Sequence, residues 1–336
     1  MSTILRSNPY LADVVDEMWC SAIASKTKQV YSSGLVQFLR FASMHNVPCS
    51  ITNLPSVSEN LLLLFVAYCS KHLNLSGSTI KLYLAGIRFA YVEAGVPNPA
   101  GGPLERLNLL LKAVTRNQGQ QQRIRLPITS DILAMLCTVL REGAFTPFTD
   151  VLLHAVIVVA FFGFLRCGEF TTNTVQFNPE VNLCMEDVSF DSSEHVFLRL
   201  KSSKTDQFRK GVIVTLCTND NFCPVGALNE YIAVRRHRNP NVQPCDPLFV
   251  SEDGRPLTRS CFLHYLRQLL SRVGLDSSKY SGHSFRIGAA SSAAQRGIQD
   301  HMIKTLGRWS SNSYNRYIHV TDNSLHNAQS ALAYSL

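Results

Sequence analysis

From Val151 to Leu165 the chain is apolar at every position except His154. That run is shorter than the roughly 20 residues that cross a bilayer. A helix that is apolar all round has to be enclosed by other protein. The run therefore predicts a helix buried at the centre of a globular domain, not a membrane anchor. Hydrophobic residues make up 46% of the chain and charged residues 17%, a balance that can build such a core and does not resemble a disordered tail. At 336 residues the chain also exceeds the roughly 100 to 200 residues usual for one domain, so two domains are expected.

The pattern places the boundary. Apolar residues recur at helical spacing in Tyr31, Leu35, Phe38, Leu39 and Phe41, in Leu61 to Tyr68, and in Ile80, Leu84, Ile87 and Tyr91. Each run follows possible caps: Ser25 and Thr27, Ser56 and Ser58, Ser76 and Ser78. Residues 1–116 therefore read as a helical bundle. The segment 117–129, NQGQQQRIRLPIT, breaks the periodicity with glutamines, a glycine, two arginines and a proline, and reads as a linker. Residues 130–336 form the second domain. Helices are expected near 130–142 and 147–165, at 224–236 and 260–273, then as short pieces from Ser284 onward. Strands are expected at 195–201 and 211–217, joined as a hairpin through the polar residues 202–210.

A net charge of +8 favours a polyanionic partner, although an anionic membrane surface or plain solubility would account for it as well. The ten cysteines contain no Cys-x-x-Cys pair and several lie in apolar stretches, which suits reduced thiols of an intracellular protein rather than a disulfide framework or zinc site. His154, His264 and His301 show no metal-ligand spacing, and no metal or cofactor is expected. The opening MSTILRSNPY lacks the apolar core of a signal peptide.

Four local features carry chemistry when taken together. Arg166 follows the buried helix in FFGFLRCGE, which puts a guanidinium at the edge of a core. Lys204 stands in the hairpin turn, in KSSKTD, where a mobile ammonium can reach a neighbouring site. His283 and Arg286 in GHSFR are three residues apart, so on a helix they share a face and can grip one anion. Trp309 in GRW is followed eight residues later by Tyr317, in SNSYNRYIH. Singly, each has a plain reading: a solvated helix end, a solubilising turn lysine, a chance pair, core aromatics.

Their order, arginine, hairpin lysine, His-x-x-Arg, tryptophan, tyrosine, resembles the tyrosine recombinase or phage integrase family over roughly residues 120–320. Ser-Lys-Thr-Asp and Gly-Arg-Trp-Ser-Ser look most like recombinases of eukaryotic mobile elements, the DIRS, Ngaro and Crypton groups. The resemblance implies a mainly α protein with a small β-sheet: a helical core-binding (SAM-like) domain plus an α+β catalytic domain. It assigns Arg166 and Arg286 to the scissile phosphate, Lys204 to protonation of the departing 5′ oxygen, and His283 to proton transfer. Trp309 takes a place that many relatives give to histidine, Glu169 is a supporting acid, and Tyr317 is the nucleophile that forms a 3′-phosphotyrosine. The spacing from Trp309 to Tyr317 is one residue shorter than in many bacterial relatives, and Tyr314 is a rival. The Tyr-Ile context of transposon relatives favours Tyr317.

Double-stranded DNA is the implied partner, held by a C-shaped clamp with Arg123 and Arg125 of the linker crossing the duplex. A homo-tetramer on paired sites and a nuclear location are also implied, with no membrane involvement. The tail 324–336 places Leu325, Ala328 and Leu332 at helical spacing, a narrow stripe suited to docking on a neighbouring protomer or on its own domain. Arg235-Arg-His-Arg238 reads either as a phosphate-contacting or nuclear-import run or as a solvated helix end. Two other functions fit parts of this pattern: a type IB topoisomerase, and a domesticated DNA-binding protein that no longer cleaves.

Overall fold

The computed structural model describes residues 8–50, 54–96, 104–118, 125–191, 194–201, 211–317 and Ser330. The chain divides into two compact units, residues 1–122 and 123–336.

The first unit is helical: α1 (Pro9–Ser21), α2 (Ser25–Met44), α3 (Glu59–Lys71), α4 (Gly77–Glu93) and α5 (Glu105–Asn117). Its core is built by Phe38 and Phe41 from α2, Leu62, Phe65 and Val66 from α3, Ile80, Ile87 and Tyr91 from α4, and Leu107, Leu111 and Val114 from α5. The Ser58 and Ser76 side chains cap α3 and α4 by accepting from the Leu61 and Thr79 amides, as their sequence context predicts. Helix α2 has no such cap, since Ala24 precedes it. Helices α2 and α4 cross at glycines. A Cβ at Gly34 would come within 2.6 Å of the Tyr83 backbone, and one at Gly86 within 2.6 Å of the Tyr31 backbone.

The second unit centres on α7 (Pro147–Phe162), which follows α6 (Ser130–Arg141). Pro147 opens α7 and the Thr146 side chain caps it, while Leu152, Leu153 and every residue from Ala155 to Phe161 are buried. The apolar run is thus a core helix, and no described helix is long and apolar enough to cross a membrane. After the short turn of helix α8 (Cys167–Phe170) come three strands: β1 (Val188–Asp191), β2 (His195–Leu200) and β3 (Val212–Cys217). They form one antiparallel sheet in that order, with His195 opposite Cys217 and Leu200 opposite Val212. Val196, Leu198 and Leu200 alternate with more exposed neighbours, as a sheet with one face on the core requires. Helices α9 (Pro224–Arg238), α10 (Arg259–Arg272), α11 (Ser284–Gln295) and α12 (Asp300–Leu306) and a 3₁₀ turn (Asn312–Arg316) complete the unit. The architecture is mainly α with one small sheet, as expected from sequence.

Three expectations need correction. Strand β1 was not foreseen, because Val-Ser-Phe-Asp is four residues long and mostly exposed, leaving no alternation to read. The segment 125–129, assigned to a linker, is a docked arm: Leu126 N donates to Lys279 O, Ile128 N to Ser284 O, and Ile128 is fully buried. Gly288 makes this possible, since its α-carbon face lies against the arm and a Cβ there would sit 1.7 Å from Ile128 O. Finally, the basic run ending α9 is not uniformly solvated. Arg235 is buried and donates to Leu248 O at 2.5 Å and to Pro247 O. Arg238 lies 4.3 Å over the Phe148 ring and 3.7 Å from Glu252.

Candidate active site

Helix α7 ends at Gly163, and the chain turns so sharply that Phe164 adopts φ +48°, in the left-handed region. A phenylalanine there is strained and must be held by its surroundings. Two arginines hold it. Arg286 of α11 donates from Nη1 to Phe164 O at 2.6 Å and from Nη2 to Gly307 O. Arg308 donates to Gly163 O at 2.8 Å and to Phe164 O at 3.3 Å. The end of α7 is thereby tied to the segment that leads to Tyr317.

Arg286 is fully buried and its guanidinium carbon lies 4.5 Å from the Trp309 ring centroid. Burial pushes its pKa down to about 9, and the neighbouring Arg166 and Arg308 push in the same direction. An anion arriving beside it would offset the repulsion from Arg166 and Arg308.

Arg166 occupies the N-cap position of α8, and its Nη1 donates to Glu169 Oε1 at 2.8 Å. The other carboxylate oxygen, Oε2, accepts from the Arg166 amide and from Arg308 Nη2, each at 2.9 Å. Burial also lowers the pKa of Arg308, while Glu169 opposes that shift. Arg166, Arg286 and Arg308 thus face the single carboxylate of Glu169, a local excess of two positive charges.

Tyr317 stands at the end of the 3₁₀ turn with its hydroxyl 3.1 Å from His283 Nε2. His283 occupies the N-cap position of α11, so the helix presents it at the mouth of the site while Arg286, one turn on, points inward. The Tyr317 ring is 6.0 Å from that of Trp309, and its carbonyl accepts from Ser291 Oγ of α11 at 2.6 Å. Tyr314, the rival tyrosine, is buried against Trp309, with ring centroids 5.9 Å apart.

The site therefore brings together Arg166, Glu169, His283, Arg286, Trp309 and Tyr317 of the residues singled out from sequence. Lys204 and Arg123 lie outside the described residues. The paired strands β2 and β3 do flank the segment that carries Lys204. Lys201, at the start of that segment, is engaged elsewhere: its Nζ lies 2.9 Å from Asp187 and 3.2 Å from Glu186. Arg125 donates from Nη1 to Ser278 O at 2.9 Å, a contact within its own unit that no pattern in the linker foreshadows. Sequence reasoning also missed Arg308. It stands inside the Gly-Arg-Trp motif, but nothing in a one-dimensional pattern says that its side chain turns back to Glu169.

Residues 179–324 match the phage integrase family model. The match takes in Lys204, His283, Arg286, Trp309 and Tyr317, whereas Arg166 and Glu169 precede it. Over a longer span the chain is similar to an integrase/recombinase xerD homolog of Selenomonas ruminantium, 25% identical over 303 residues that cover 88% of this chain and 82% of the relative. In fold it is similar to the XerH site-specific recombinase bound to palindromic difH substrate, with a TM-score of 0.61 at 16% identity, covering 90% of this chain and 78% of that one. It also resembles the Tn1549 transposon integrase in complex with transposon right end DNA, with a TM-score of 0.57 at 16% identity over 91% and 99% of the two chains.

Proposed function

We propose that this protein is a site-specific DNA recombinase of the phage integrase type that cuts and rejoins strands through a covalent bond between Tyr317 and a 3′ phosphate. The single observation that carries this reading is the 3.1 Å contact of the Tyr317 hydroxyl with His283 Nε2, beside a cluster of arginines that outweighs its one carboxylate. A phenol is a weak nucleophile until its proton has somewhere to go, and the imidazole nitrogen is in place to share it. Attack by the phenolate oxygen on phosphorus forms the O–P bond to Tyr317 and releases the 5′ oxygen, which Lys204 protonates in this scheme. Arg166 and Arg286 meet the charge that develops on the non-bridging oxygens. The phosphotyrosine ester keeps the bond energy, so a 5′ hydroxyl from a second strand can reverse the reaction without ATP.

The relatives named above include a site-specific recombinase and a transposon integrase, and on that ground we assign the activity to integration or excision of a mobile element. The DIRS, Ngaro and Crypton resemblance refines this to a eukaryotic element with action in the nucleus. Recombination between paired sites calls for a tetramer on double-stranded DNA. A topoisomerase with similar cations would relax a single duplex and yield no recombinant junctions, so a junction assay separates the two.

The test is covalent capture on a nicked suicide substrate chosen by selection from random duplex DNA. The wild-type chain is expected to form an adduct, Tyr317→Phe to bind without forming one, and Tyr314→Phe to form one. An adduct that persists in Tyr317→Phe and vanishes in Tyr314→Phe would show that the nucleophile is Tyr314.

A further inference from the structure

Arg308 has no part in the strand-transfer scheme above, yet its guanidinium is fastened inside the site. It donates to Gly163 O and Phe164 O, and it shares Glu169 with Arg166: one carboxylate oxygen takes Arg308 Nη2 at 2.9 Å, the other takes Arg166 Nη1 at 2.8 Å. Side-chain exposure is 4% for Glu169, 14% for Arg308 and 20% for Arg166, so solvent screens these contacts weakly. The Arg308 backbone sits at φ +53°, a conformation that glycine would adopt without strain and arginine does not. Keeping a long cationic side chain at such a position suggests that the guanidinium itself is needed.

We propose that Arg308 is a positioning residue for strand cleavage: by holding one oxygen of Glu169 it weakens the grip of that carboxylate on Arg166, leaving Arg166 free to serve the scissile phosphate. The inference rests on the reading that Arg166 binds phosphate. Its logic is a charge count. Arg166, Glu169 and Arg308 together carry one positive charge. Without Arg308 the remaining pair is neutral, and a carboxylate with one buried guanidinium for company binds it closely. A phosphodiester gains negative charge on the way to the transition state, so neutralising Arg166 harms cleavage more than binding. Arg308 achieves this through Glu169 and need not touch the phosphate.

A purely structural role makes a different prediction, since Arg308 also ties the 306–309 segment to the end of α7. Single-turnover cleavage of the suicide substrate should be compared in wild type, Arg308→Gln, Arg308→Lys and the double variant Arg308→Gln/Glu169→Gln, with DNA affinity and thermal melting measured for each. We expect Arg308→Gln to slow cleavage by about tenfold or more while affinity changes only a few-fold. The double variant should recover much of that rate, because removing the competing carboxylate restores one positive charge at Arg166. A double variant as slow as Arg308→Gln, or slower, overturns the proposal. If Arg308→Gln is unfolded at the assay temperature, Arg308→Lys decides: it keeps the charge but cannot span the two carbonyls and Glu169. A rate well above that of a folded Tyr317→Phe control supports the electrostatic role, and a rate equal to that control overturns it. An absence of adduct in the wild type would sink the recombinase reading itself, whereas a wild-type adduct with an unimpaired Arg308→Gln sinks only the inference about Arg308.

Discussion

In the proposed mechanism Arg286 serves both fold and chemistry. It is fully buried, it satisfies the carbonyls of Phe164 and Gly307, and its plane lies by the Trp309 ring. Lysine carries the same charge but presents it at a point, and cannot span two carbonyls while remaining under an indole. Arg286→Lys is expected to cut single-turnover cleavage by about 10²-fold, in the range seen when one transition-state donor is lost. Arg286→Met, which takes its donor from Gly307 O and leaves Phe164 O with only the longer bond from Arg308, should also lower stability by about 2 kcal/mol in denaturant titration. The same cluster bears on metal dependence. The arginines supply positive charge where other phosphoryl-transfer enzymes use magnesium. Cleavage is therefore expected to proceed at an unchanged rate in EDTA, and a rate that collapses on chelation and returns with magnesium would contradict this mechanism.

At the scale of elements, the arm 125–129 and helix α11 form one device. The arm donates from Leu126 and Ile128 to carbonyls just before and at the start of α11, and Ser130 N donates to Ser292 Oγ. Helix α11 in turn carries Arg286 and the Ser291 that holds the Tyr317 carbonyl. Gly288→Ala would drive a methyl group into Ile128 O, a backbone atom that has to shift bodily. The expected cost is about 1–3 kcal/mol, read as a lowered denaturation midpoint, with cleavage falling further than stability alone accounts for. A Gly288→Ala chain as stable and active as wild type would show that the arm is not braced in this way. This contact also marks where sequence reading stops. That Arg166, His283, Arg286, Trp309 and Tyr317 gather in one place was legible from their order in the chain, and α7 was legible because an apolar run has one place to go. The arm was not, because Arg-Ile-Arg-Leu-Pro-Ile has the composition of a linker, and only tertiary packing against a glycine reveals Ile128 as core. Nor was the part of Arg308, whose partner Glu169 is distant in sequence and becomes a neighbour only through the turn at Phe164.

For the whole molecule, the proposed strand exchange has to couple one active site to another. In the proposed reading the net charge of +8 favours DNA binding that weakens with salt, but it says nothing about pairing two sites. Strand exchange requires that cleavage at one protomer be timed with that at its neighbour, and an exchanged peptide segment is an economical link, since it exists only in the assembled state. Leu325, Ala328 and Leu332 give the tail a stripe at helical spacing, and they lie outside the described residues. A stripe three residues long buries too little area to fold alone and needs a surface to receive it. We predict that a chain truncated after Asn323 keeps single-site DNA binding and monomer melting temperature but loses paired-site synapsis and, with it, recombinant product. If truncation instead lowers the melting temperature of the monomer by several degrees while synapsis falls only in proportion, the tail packs on its own domain and the coupling has to be carried by another surface.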